Sequence, residues 1–240
     1  MVFVSTGDMP PPPWSSVRAK DRVPLSRERI ADAAMAIVDA DGLGGLNMRR
    51  LADELGTGPA SLYAHVSGKE ELLQLLIDRV AGEVPGIEPD PDRWQEQVKE
   101  YMRAVRKVLV AHRDLAGAAL ANIPTGPNAV TTMEGLLAIL RAGDLPDQVI
   151  AYAADLLSQY VNVDAYEGSL FAQRMEREPE YFKRIFAYFK ALPADRFPHF
   201  ASLADAMIGA GEDDDARFEF GMDVLVRGLA AFSGQAARSE

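Results

Sequence analysis

Arg49, Arg50, Tyr63, His65 and Lys69 put two guanidiniums, a phenol, an imidazole and an ammonium into one short stretch, NMRRLADELGTGPASLYAHVSGK, from Asn47 to Lys69. All five groups can donate hydrogen bonds to phosphate oxygens, the cations with the added strength of charge. Thr57, Pro59, Ala60 and Ser61 lie among them, with small side chains that let another surface come close. Elsewhere no nucleophile–base pair, glycine-rich phosphate loop or carboxylate dyad stands out. The chemistry on offer is anion recognition; no catalytic residue, metal site or cofactor is expected.

Such recognition depends on what holds the groups. Met48, Leu51, Ala52 and Leu55 recur at helical spacing, and Gly56 follows them, free to take the left-handed conformation that ends a helix. After the Thr57-Gly58-Pro59 turn, ASLYAHV supplies a second helix anchored inward by Leu62 and Val66. Two short helices across a tight turn make a helix-turn-helix, whose second helix can lie in the major groove of DNA. Upstream, Ser26 can cap a first helix whose stripe is Ile30, Ala33, Ala34, Ile37 and Val38, and Asn47 can cap the next. Downstream, Leu72, Leu73, Leu76, Ile77 and Val80 mark a fourth helix from Lys69 to about Val84.

The run from Pro85 to Pro91 then breaks the pattern. We expect a flexible arm over 1–22, a DNA-binding domain over 23–85 and a larger helical domain over 86–240. No strand signal appears, so the fold class is all-α. In the larger domain helices are expected over about 92–111, 113–122, 128–142, 146–174, 179–191, 199–208 and 213–232. In the arm, a Pro10–Pro13 run precedes Arg18, Lys20 and Arg22, which could touch a DNA backbone.

Charge and composition bound the function further. The chain has 240 residues, a net charge of −11 and no cysteine, which removes disulfides, thiolate zinc sites and cysteine nucleophiles. No apolar run is long enough to span a bilayer, and the N-terminus lacks the features of a signal peptide. A cytoplasmic protein with no membrane partner is the expectation. Residues 23–85 carry 6 basic and 10 acidic groups, so phosphate contact must be local and involve few groups.

RIADAAMAIVDADGLGGL, followed by MRRLADELGTGPASLYAHVSGKEELL, closely resembles the TetR family of transcriptional repressors. More weakly, WQEQVKEYMRAVRKVLVAHRD and FEFGMDVLVRGLAAF resemble the C-terminal domain of tetracycline repressors. The resemblance implies a homodimer on a double-stranded DNA operator, released by a small-molecule effector. It places Arg49 at the start of helix 2, near a guanine edge or phosphate. Pro59, Ala60 and Ser61 would face bases, Tyr63 and His65 would hold phosphates, and Lys69 would be the phosphate-binding lysine that opens helix 4. Because Gly58, Pro59 and Ala60 carry no side-chain donors, thymine-methyl contact and DNA shape must supply more of the specificity. Where tetracycline repressors use a histidine to chelate drug-bound magnesium, this chain has Ala119, so metal–tetracycline recognition does not carry over.

In the larger domain the apolar pattern suggests an effector pocket of Met102, Val105 and Leu109, then Met133 and Leu137, then Tyr160 and Phe171. The resemblance implies a dimer seam of two helices per subunit. By position these would offer Tyr152, Leu156 and Gln159 on one, and Phe218, Met222 and Leu225 on the other. Tyr152, Asp155, Gln159, Asn162 and Tyr166 form a polar stripe that could be a solvated face, a seam or a pocket wall. The aromatic segment Tyr181–Phe189 is expected in the core or over the pocket, and His112 as a helix cap or solvent contact. Arg49 and Arg50 could also pair with Asp53 and Glu54. An alternative function fits the acidic reader: a helical small-molecule sequestering protein with little DNA affinity. A third class, an enzyme, has no constellation to support it.

Overall fold

In a computed structural model that describes residues 24–112, 114–210 and 214–234, every regular element is a helix. The expected arm, with Arg18, Lys20 and Arg22, lies outside the described residues. α1 (Arg27–Asp41) begins where Ser26 Oγ accepts the Arg29 N–H at 3.3 Å and stops at Gly42, whose φ of 73° suits glycine. A 3-10 turn, Leu43–Gly45, leads to α2 (Met48–Glu54), capped by Asn47 Oδ1 on the Arg50 N–H at 3.0 Å. α2 ends in a Schellman arrangement: Gly56 N–H reaches Asp53 C=O, Thr57 N–H reaches Ala52 C=O, and Gly56 sits at φ 61°.

α3 (Pro59–Tyr63) is shorter than ASLYAHV suggested. The His65 and Val66 amides both bond to the Leu62 carbonyl, so the helix closes in a turn. α4 (Lys69–Ala81) follows. Ile30, Ala34, Val38, Leu51, Leu62 and Leu76 are fully buried and form the core of this four-helix reader.

That core does not end with α4. It runs on through Ile77 and Val80 into α5 (Trp94–Ala111), α6 (Leu115–Ala121), α7 (Pro127–Ala142) and α8 (Asp147–Arg177). α5 lies against α7, α8 and α11 (Asp214–Ala230), while α4 packs on α5, α6 and α7. The indole of Trp94 occupies the space a Cβ on Gly143 would need, 2.6 Å from its ring, which fixes the α7–α8 corner to the start of α5. Buried Asp164 accepts from Arg106 at 2.6 Å and pairs with Arg217 at 3.5 Å, joining α5, α8 and α11 around Phe218.

The aromatic segment becomes α9 (Tyr181–Lys190), joined to α10 (Pro198–Ala210). It has no fully buried residue and none that lines the cavity behind the reader, which corrects the expectation that it belongs to the core or lies over the pocket. Its rings pack on one another, on Phe171 and, through Phe189, on Phe200. No helix of the described residues is long and apolar enough to cross a membrane.

Candidate functional site

The helix-turn-helix turns Leu51, Leu62 and Val66 inward and leaves Arg49, Pro59, Ala60, Ser61, Tyr63 and Lys69 exposed. Thr57 and His65 are half-buried beside them. The apolar anchors and the Schellman turn thus hold a short helix whose outer surface is small except for Tyr63. Arg50, expected at the DNA with pairing along α2 as the alternative, does not pair with Asp53 or Glu54. Its guanidinium is bound to Asp41 and reaches toward the Gly45 carbonyl at 3.5 Å, so it braces the α1–α2 turn. Arg49 stands one position earlier on the exposed side. Lys69 opens α4, where Glu71 accepts the Ser67 N–H at 2.7 Å and pairs with Arg27.

Behind the reader is a cavity of about 760 Å³. α4 supplies Ile77, Val80 and Ala81 to its wall; α5 supplies Met102, Val105 and Leu109; α7 supplies Met133 and Leu137. Asp155, Gln159 and Asn162 of α8 complete it, so the middle of the polar stripe is a pocket wall. Tyr166 of that stripe instead packs against Gly117, in a shallower cleft with Lys69 and Gln173. Two expected pocket residues lie elsewhere. Tyr160 stacks on Phe218 with centroids 5.6 Å apart and donates to the Phe218 carbonyl at 3.2 Å. Phe171 meets Phe182 edge to face, outside the cavity. Ala119 does line the cavity, and its methyl offers nothing to a metal.

The expected seam residues divide. Tyr152, Leu156 and Gln159 are exposed, Gln159 also facing the cavity. Phe218 and Met222 are buried inside the subunit, and Leu225 is half-buried. Phe218 and Met222 are therefore core residues, used up by packing on α5 and α8. The outward apolar residues of α11 are Phe220 and Val224.

Residues 30–76 match the family of bacterial regulatory proteins named for tetR, and residues 88–232 match the tetracyclin repressor-like C-terminal domain. The chain belongs to the TetR family. Among its relatives is the repressor DrrR1 of Streptomyces coeruleorubidus, 34% identical over 92% of this chain and 84% of the relative. Among solved structures, Streptomyces coelicolor ActR in complex with actinorhodin is 45% identical, with a TM-score of 0.82 over 89% of this chain and 99% of ActR. BioQ bound to its double-stranded DNA operator is 27% identical, with a TM-score of 0.60 over 87% of this chain and 99% of BioQ.

TetR-family regulators bind DNA, and here three contacts tie the reader to the cavity domain that sequence reasoning missed. Asp114, in the left-handed region at φ 64°, accepts the Leu43 N–H at 3.1 Å and Gln173 Nε2 at 2.6 Å. Asp78 of α4 accepts the Ala129 N–H at 3.0 Å and caps α7. His112, expected at a cap or in solvent, does follow α5 directly, but its ring lies between Asp39 of α1 and Glu83, each 3.2 Å away. Burial alone would lower its pKa; the bonds to Glu83 and Asp39 outweigh that and raise it above the ordinary value. The partners are dozens of positions apart, so local spacing carried no sign of them.

Proposed function

We propose that the chain is a homodimeric repressor that holds a palindromic operator with two recognition helices and releases it when a small molecule fills the cavity beside α4. The observation that carries this reading is the double membership of α4. Lys69 at its start belongs to the reader's exposed face, and Ile77, Val80 and Ala81 further along wall the cavity. A ligand that pushes on that wall moves the helix that sets the reader's position. It acts only through its differential affinity for the two arrangements, so operator DNA must weaken ligand binding by the same factor.

Tyr63 and Lys69 are the phosphate anchors in this reading and Arg49 reaches a guanine edge or a phosphate, with Pro59, Ala60 and Ser61 against the bases and Arg50 acting through the turn it braces. The test is fluorescence anisotropy of labelled DNA from upstream of the chain's own coding region, at stated salt. Saturable binding is expected, weakened by roughly 1–3 kcal/mol in Arg49→Ala and by less in Tyr63→Phe. Arg50→Ala should lower thermal stability as well as affinity. Absence of any specific complex at low salt would sink the reading and favour a sequestering role.

A further inference from the structure

We propose that the cavity selects its effector by charge, taking an apolar polycyclic molecule that carries no negative charge, with Glu134 and Asp155 as the residues that exclude anions. This deepens the reading of the cavity as the effector site and rests on it. The first observation is the composition of the wall. Among the described residues it holds neither lysine, arginine nor histidine, and its two carboxylates, Glu134 and Asp155, are exposed to solvent. Of the four cations of α5, three are matched, Lys99 with Asp223, Arg103 with Glu219 and Arg106 with Asp164, and the fourth, Lys107, is exposed and does not line the cavity. An anion entering would meet two like charges and no counterion.

The second observation concerns donors. Tyr101 gives its hydroxyl proton to the Thr132 carbonyl at 2.7 Å, and the single hydroxyl proton of Thr132 is shared between the Ala81 and Asn128 carbonyls. Asn122 donates to the Ala118 carbonyl at 2.7 Å and Gln159 to Asp155 at 2.6 Å, while the Ser158 hydroxyl and the Asn162 amide line the cavity as further neutral donors. A carboxylate or phenolate placed inside would exchange its water for a few neutral donors and no cation, and a buried charge without a counterion is costly. The interior lined by Met102, Val105, Leu136 and Leu137 is apolar and its volume of about 760 Å³ admits a molecule of several rings, whose basic substituent would lie toward Glu134 and Asp155.

The experiment uses one tricyclic frame in three charge states: acridine, 9-aminoacridine and acridine-9-carboxylate, neutral, cationic and anionic near pH 7.5. Each is titrated into the full-length protein by calorimetry, with competition against labelled operator where the complex forms. Acridine and 9-aminoacridine should bind, and the carboxylate should bind roughly tenfold or more weakly than acridine. Glu134→Gln/Asp155→Asn should narrow that gap, read as the ratio of the acridine and carboxylate affinities within the same variant, and high salt should narrow it in the parent chain. Binding of the carboxylate as tight as that of acridine overturns the charge rule while leaving the effector cavity in place. A gap that survives the double substitution overturns the assignment to Glu134 and Asp155. Failure of all three to bind counts against the effector cavity itself, and the charge rule falls with it.

Discussion

His112 joins the reader to the cavity domain by a bond that depends on its proton. Held between Asp39 and Glu83, the imidazolium is favoured in the folded chain and its pKa is raised. The stabilisation is therefore complete below the unfolded value near 6.5 and is lost as pH rises through the higher folded value. Between pH 6 and 8.5 the melting temperature of the parent should fall more than that of His112→Gln. Each kcal/mol of the stabilisation lost is read as about 2–4 °C in a chain of this size. Parallel curves would show that the two carboxylates do not hold the charged form. Single residues were legible where their work is local: Ser26, Asn47 and Gly56 act on backbone within a few positions. His112 was not, because the carboxylates that define it arrive from α1 and from the turn after α4. Arg50 was illegible in the same way: the pairing open to it along α2 was with Asp53 or Glu54, and its partner is Asp41.

Elements were read well in number and order, since each helix carries its own apolar period and most are bounded by glycine or proline. Their faces were harder. On α11, Phe218, Met222 and Val226 form one stripe and Phe220 and Val224 another; both are apolar, and periodicity cannot say which meets the core. Nor can it show that one helix caps another. Gly126-Pro127 marked the start of α7, yet the cap itself is Asp78, reaching from α4 to the Ala129 N–H at 3.0 Å. Gly126 is small because that carboxylate occupies the place of a Cβ. Asp78→Ala should cost about 1 kcal/mol in denaturant unfolding, the usual worth of a cap. Hydrogen exchange should also quicken at Ala129 while the α1 amides stay protected. Unchanged exchange at α7 would mean that water replaces the carboxylate and that α4 and α7 are tied by apolar contact alone.

At the scale of the molecule, the proposed homodimer needs an apolar face that one subunit leaves uncovered. Tyr152 and Leu156 of α8 and Phe220 and Val224 of α11 supply it, at 68%, 48%, 72% and 54% exposure. Exposed aromatics of this size on two adjoining helices are what an isologous helix-bundle seam would bury. The acidic chain makes the seam more consequential. With a net charge of −11, nonspecific attraction to DNA is weak, and affinity must come from placing two small readers together. Leu156→Glu/Val224→Glu sets like charges into the seam without touching Phe218 or Met222, so each subunit should keep its helical circular dichroism. Sedimentation should then report a monomer, and operator affinity should fall on the order of a hundredfold, because the second half-site is no longer bound at high effective concentration. A variant that stays dimeric and binds as tightly as the parent would place the seam on another face, and would leave Phe220 and Val224 without a role in assembly.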